Sequence, residues 1–126
     1  MSKRRVLIVD DTPATVDLAA YLLNAAAFAV QSASDAASAL VQAQIFKPDL
    51  VLMDVQMPGV DGLELTRQLK TDPSTCHIVV VAFTAFAMSG DEAKMRAAGC
   101  DGYIGKPFDV ASFAATVQSF IRGAAT

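Results

Sequence analysis

Four stretches of this 126-residue chain carry side chains that could do charge-based chemistry together. Asp10-Asp11 follow the apolar run Val6-Leu7-Ile8-Val9, and Asp54 follows Leu50-Val51-Leu52-Met53. Thr84 closes the run Ile78-Val79-Val80-Val81-Ala82-Phe83, and Lys106 stands just past Gly102 to Gly105. Brought to one edge, three carboxylates repel. A like-charged pair ~4 Å apart costs about 4 kcal/mol at an effective dielectric of ~20. Lys106 would offset part of that and a hard divalent cation most of it. Only oxygen donors are on offer, with no His or Cys, so Mg²⁺ keeping several of its waters is the expected metal. The same set suits phosphoryl transfer, which needs positioning and neutralisation of charge on the equatorial oxygens. Mg²⁺, Lys106 and the Thr84 hydroxyl would supply those roles, and Asp54 would be the carboxylate nucleophile, forming an aspartyl-phosphate. Singly, each of these residues reads as a turn, a cap or a solvated side chain; their common placement at strand ends is what makes a site.

That placement depends on the elements. The apolar runs are continuous rather than alternating, as in parallel strands covered on both faces. A weaker strand is expected over Phe28 to Ala33 and a short one over Gly102 to Gly105. Between them lie stretches with helical ends. Thr12-Pro13 offers a cap followed by proline at the first helical position, with Leu18, Ala19, Leu22 and Leu23 as the buried stripe. Ser34 caps a second helix reaching about Phe46, where Pro48 forbids continuation. Asp61-Gly62-Leu63-Glu64 and Ser89-Gly90-Asp91-Glu92 have the form of capping boxes. Gly99 is a natural stop for the helix that the second of these opens. Asp109 caps the last helix, where Val110, Phe113, Ala114, Val117, Phe120 and Ile121 follow helical spacing and Gly123-Ala124-Ala125-Thr126 forms the tail. Five strand–helix units predict a doubly wound α/β fold with helices on both faces, whose ligands bind at the carboxyl ends of the strands.

Composition narrows the classes. With 53% hydrophobic residues, a mean hydropathy of +0.40 and 18% charged residues, the chain is not disordered. No apolar run approaches the ~20 residues of a membrane helix, and the basic start Lys3-Arg4-Arg5 is not followed by a signal-peptide apolar region. Ten basic against thirteen acidic residues, without a basic cluster beyond residues 3–5, gives no nucleic-acid footprint. Cys76 and Cys100 form no metal pattern; they read as inert free thiols in a reducing, cytoplasmic setting. His77, the sole histidine, precedes the fourth strand and is read as structural. Met53, Met57, Met88 and Met95 are read as core gap-fillers. The whole chain, residues 1–126, is expected to be one domain with no output domain attached.

Over essentially its whole length the sequence resembles a receiver domain of the two-component response regulators, in particular single-domain, chemotaxis-regulator-like members. The resemblance is carried by Val6 to Asp11, Pro48 to Gly62, Ala82 to Ala85 and Gly105-Lys106-Pro107-Phe108. It implies a flavodoxin-like strand order 2-1-3-4-5 and Asp54 as phosphoacceptor. By similarity Asp11 binds Mg²⁺ directly, Asp10 acts mainly through a metal-bound water, and the Gln56 backbone carbonyl completes the protein ligands. Thr84 and Lys106 become phosphoryl contacts, and a cis peptide precedes Pro107, where proline makes cis inexpensive. The family also implies a switch in which Thr84 moves toward the phosphoryl group and an aromatic side chain, here Tyr103, turns inward. Phe86 would flank the site and could shield the acyl phosphate from water. The implied donor is a histidine kinase or histidine phosphotransfer protein. The implied readout is a downstream protein bound on the face of the fourth helix, fifth strand and fifth helix, beside the apolar Phe86-Ala87-Met88. Such a domain is a switch rather than a turnover enzyme.

Three other readings compete. A haloacid-dehalogenase-type phosphatase would need a D-x-D-x-T motif after the first strand, where this chain has Asp10-Asp11-Thr12. A flavodoxin-like FMN binder would need a hydroxyl- and glycine-rich loop at that point, which here carries two negative charges. The chain could also be the receiver of a hybrid kinase or a larger regulator; its initiator methionine and its end soon after the last helix favour a stand-alone regulator.

Overall fold

The apolar runs form strands. In the computed structural model, which describes residues 3–55, 61–85, 89–106 and 108–125 (89–92, 124 and 125 by backbone only), β1 spans Arg5–Val9, β2 Ala29–Ala33, β3 Leu50–Met53, β4 Val79–Thr84 and β5 Gly102–Gly105. They make one parallel sheet in the order β2-β1-β3-β4-β5. Helices α1 (Pro13–Ala25), α2 (Ala36–Ile45), α3 (Gly62–Thr71), α4 (Ser89–Ala98) and α5 (Phe113–Ala125) fill the crossovers and the end. Alternate residues of each strand feed opposite faces. Leu7, Val9, Val51, Met53, Val80 and Ala82 pack with Ala39 and Ala43 of α2, Leu65 and Leu69 of α3 and Met95 of α4. Ile8, Leu52, Val81 and Phe83 pack with Ala19 and Leu23 of α1 and Phe113, Val117 and Ile121 of α5. Both faces are covered, which is why the strands could be apolar throughout. Among the described residues no helix is long and apolar enough to cross a membrane.

Several helix details differ from the sequence expectation. The buried stripe of α1 runs through Ala19 and Leu23, with Val16 and Ala20 packed beside them, while Leu18 is 42% exposed. Positions 16, 19, 20 and 23 form one i, i+3, i+4, i+7 face, and Leu18 lies off it, whereas Leu22 is partly buried against the same core. The cap of α2 is Asp35, not Ser34: its carboxylate accepts from the Ser38 N–H at 2.7 Å. Bonds from the Ser38 backbone and side chain hold the Asp35 carboxyl below its ordinary value. At α3, Asp61 accepts from the Leu63 and Glu64 amides, but the Glu64 carboxylate pairs with Arg67 at 3.1 Å. Side chains of the Ser89–Glu92 box lie outside those described, and α4 stops before Gly99, whose φ is +107°. Asp109 holds a turn, accepting from the Ala111 amide and the Ser112 hydroxyl, so α5 starts only at Phe113 and Val110 is exposed. The helix then continues through Gly123 to Ala125, where a tail was expected.

Candidate functional site

Strand register assembles the site. Val9 of β1 is aligned with Met53 of β3, so Asp10 and Asp54 leave the sheet side by side, and the Asp54 amide donates to the Val9 carbonyl at 2.9 Å. The Asp10 amide donates to Ala33 at the end of β2. Thr84 is aligned with Gly105, and the Lys106 amide donates to the Thr84 carbonyl at 2.8 Å. Each of these residues is therefore fixed by the last ladder bond of its strand.

Carboxylate oxygens of Asp10, Asp11 and Asp54 all lie within 4.8 Å of one another. The Asp10 and Asp54 side chains are buried, with 0% and 8% exposure, and Asp11 is open to solvent. The Lys106 ammonium reaches across to donate to Asp10 Oδ2 at 2.7 Å and Asp54 Oδ2 at 3.4 Å. The other Asp10 oxygen accepts from the Thr12 amide at 2.9 Å, which orients this carboxylate and starts α1. Thr84 is buried at the end of β4. Three carboxylates and one ammonium leave two formal negative charges on an all-oxygen donor set, which fits a hard divalent cation.

The sequence expectation thus brings Asp10, Asp11, Asp54, Thr84 and Lys106 to one rim. Tyr103 is on β5, 38% exposed, at the edge of the sheet. Gln56, Phe86, Met88 and Pro107 lie outside the described residues. Two features escaped sequence reasoning. Asp17 joins Asp10 and Asp11 in lining a cavity of about 390 Å³ between α1 and α2, where Pro13, Val16 and Asp17 face it at i, i+3 and i+4. That spacing was a usable signal. The other is Phe83, whose ring centroid lies 4.8 Å from the Lys106 ammonium. Away from the rim, His77 is in the turn before β4. Cys76 is exposed, while Cys100 is buried and its thiol is pushed up by that burial, which keeps it unreactive at neutral pH.

Gly62, the first residue of α3, abuts the strand end that carries Asp54. A Cβ there would stand 2.7 Å from both the Asp54 carbonyl oxygen and the Val55 Cα. In an open helix alanine would gain about 1 kcal/mol over glycine. Here the clash is with backbone that must move, and overpacking of this kind costs about 1–3 kcal/mol. Gly62→Ala should therefore lower the urea midpoint; an unchanged or higher midpoint would show that α3 can back away freely.

Residues 6–118 match the response regulator receiver domain. The polar-differentiation response regulator DivK of Brucella anthropi is 41% identical over 121 residues, covering 96% of this chain and 98% of that protein. The chemotaxis response regulator CheY4 of Vibrio cholerae superposes with a TM-score of 0.88 at 25% identity, covering 94% of this chain and 99% of that one. The receiver domain of a Pseudomonas aeruginosa sensor histidine kinase, solved with a magnesium ion coordinated in its active-site cleft, gives 0.85 at 27% identity, covering 96% and 99%. A match of this extent, on a sheet whose register gathers the acids at one edge, places the chain in the response regulator receiver family, whose members are phosphoacceptor signalling domains.

Proposed function

We propose that this chain is a single-domain response regulator that takes a phosphoryl group from a phosphohistidine onto Asp54. The observation that carries the reading is the buried Asp54 carboxylate, grouped within 4.8 Å of Asp10 and Asp11 and tied to Lys106. An Asp54 oxygen attacks phosphorus; the P–N bond breaks, its electron pair leaves with the imidazole of the donor, and an acyl phosphate forms. Lys106, already shared between Asp10 and Asp54, neutralises charge on the transferred group, and the Thr84 hydroxyl donates to it. Asp10, Asp11 and Asp54, with the Gln56 carbonyl as implied by the resemblance, would hold Mg²⁺, which supplies positive charge to the phosphoryl oxygens when bound.

The donor is a histidine kinase or histidine phosphotransfer protein. The output is altered binding of a protein target on the face of α4, β5 and α5, where Tyr103 turns inward once Thr84 engages the phosphoryl group. Phosphorylation adds ≈ −1.5 to −2 charges at one point, enough to recruit a hydroxyl and an ammonium that start nearby. Intact mass after treatment with a small phosphodonor and Mg²⁺ tests the assignment. Wild type should gain one phosphate and Asp54→Ala none. A phosphate on both proteins would move the acceptor elsewhere.

A further inference from the structure

Lys106 starts on the β5 side of the sheet, yet its ammonium ends on Asp10 and Asp54, which follow β1 and β3. Its stem must therefore cross the end of β4. The side chain beneath that crossing is Phe83, with the ammonium over the ring at 4.8 Å from the centroid, inside the ~6 Å range of a cation–π contact. Phe83 is fully buried. Its ring lies 5.5 Å from that of Phe108 and 6.0 Å from that of Phe113, which are 4.3 Å from each other. The three packed rings, Phe83 and Phe113 buried and Phe108 half-buried, form a platform beneath an ammonium-bearing side chain that is 19% exposed. In this partly desolvated setting, attraction between a ring face and a cation is larger than at a fully exposed site.

We propose that Phe83 is a positioning residue for the phosphoryl-transfer site. It seats the Lys106 ammonium where that group spans Asp10 and Asp54. A lysine has a long, flexible stem and a compact charge that accepts many directions. With its shorter bond to Asp10, at 2.7 Å against 3.4 Å to Asp54, the ammonium could settle on Asp10 alone. The negative ring face below gives it a third attraction that resists this. Phe83 and Thr84 are consecutive on β4, so they point to opposite sides of the sheet. One strand end thereby carries both the hydroxyl and the seat of the ammonium, and any shift of that end moves the two together.

The inference rests on Asp54 being the acceptor and on Lys106 acting at the phosphoryl group, so its test keeps the two apart. Position 83 is replaced in turn by mono-, di-, tri- and pentafluorophenylalanine, which drain the ring face of negative charge while nearly keeping its shape. The rate of Asp54 phosphorylation by a small donor with Mg²⁺ should fall stepwise, by about three- to tenfold across the series. Phe83→Leu should show a comparable loss, and the upfield ring-current shift of the Lys106 ε-methylene protons should disappear in that variant. A flat rate across the fluorinated series, or a Lys106 resonance that Phe83→Leu does not move, would overturn the positioning role alone. Phosphate uptake by Asp54→Ala would overturn the reading beneath it instead.

Discussion

Lys106→Met should destabilise the fold by about 3–5 kcal/mol in metal-free buffer, the range for removing one partner of a buried ion pair. Methionine keeps much of the stem that covers Phe83, so the loss reports charge more than packing. What it leaves behind is the Asp10 carboxylate, whose side chain has no exposure, beside an Asp54 carboxylate that is 8% exposed. Within 4.8 Å of each other, the two repel by at least about 3.5 kcal/mol at an effective dielectric of ~20. Because the pair is largely out of water, added monovalent salt should recover little of the loss. Lys106→Arg should recover part of it, since the charge remains but a planar fork replaces a compact ammonium. Urea denaturation with a chelator present measures all three proteins. The midpoint should fall while the slope stays constant, and added Mg²⁺ should narrow the gap because a second cation answers the same charges. A loss below about 1 kcal/mol would mean that water or rearrangement already compensates the two acids.

The rim was legible in the sequence for a specific reason. β1 and β3 are apolar to their last residue and each is followed by an aspartate, so the change from Val9 to Asp10 and from Met53 to Asp54 marks both the strand end and the site. β4 is apolar up to Thr84, its last residue. Parallel register did the rest, because aligned ends deliver neighbouring side chains to one edge. Helix boundaries were legible only where chemistry marked them. Gly99 announces the end of α4, but the left-handed residues after α1 and α2 are Ala27 and Lys47, at φ of 69° and 53°. Neither is a residue whose type points to that conformation. Leu18 misled because hydrophobicity alone does not reveal that alanines will face the sheet. Phe83 was hidden for a different reason. In sequence it is one more apolar residue of a buried strand, and its contact with Lys106 exists only because a side chain from β5 crosses β4 to reach acids on two other strands.

Asp54→Asn should make the metal-free protein more stable while abolishing its capacity to accept a phosphoryl group. In the folded protein Asp54 gains about 5 kcal/mol from Lys106 at 3.4 Å at an effective dielectric of ~20. It loses at least about 3.5 kcal/mol to Asp10 within 4.8 Å on the same scale, and at least about 1 kcal/mol more to the solvent-exposed Asp11 through water-like screening. Among these charged partners the terms nearly cancel, and the cost of dehydrating a carboxylate then weighs against the fold. Asparagine avoids that cost, so a gain of about 1–2 kcal/mol is expected, or about 4 °C in Tm per kcal/mol for a domain of this size. Mg²⁺ should reverse the order. A ligand that binds only the folded state at 100 times its Kd adds about 2.7 kcal/mol, and the asparagine oxygen, being neutral, holds a hard cation less tightly than the carboxylate it replaces. Thermal denaturation of both proteins, in chelator and in excess Mg²⁺, should therefore give crossing rankings: the variant ahead without metal, wild type level or ahead with it. A wild-type Tm indifferent to Mg²⁺, or an equal rise in both proteins, would remove Asp54 from the cation's ligands. Under the proposed assignment, the residue whose dehydration costs stability without metal is the one whose charge the metal and the phosphoryl group would use, so that instability would be the physical counterpart of the function.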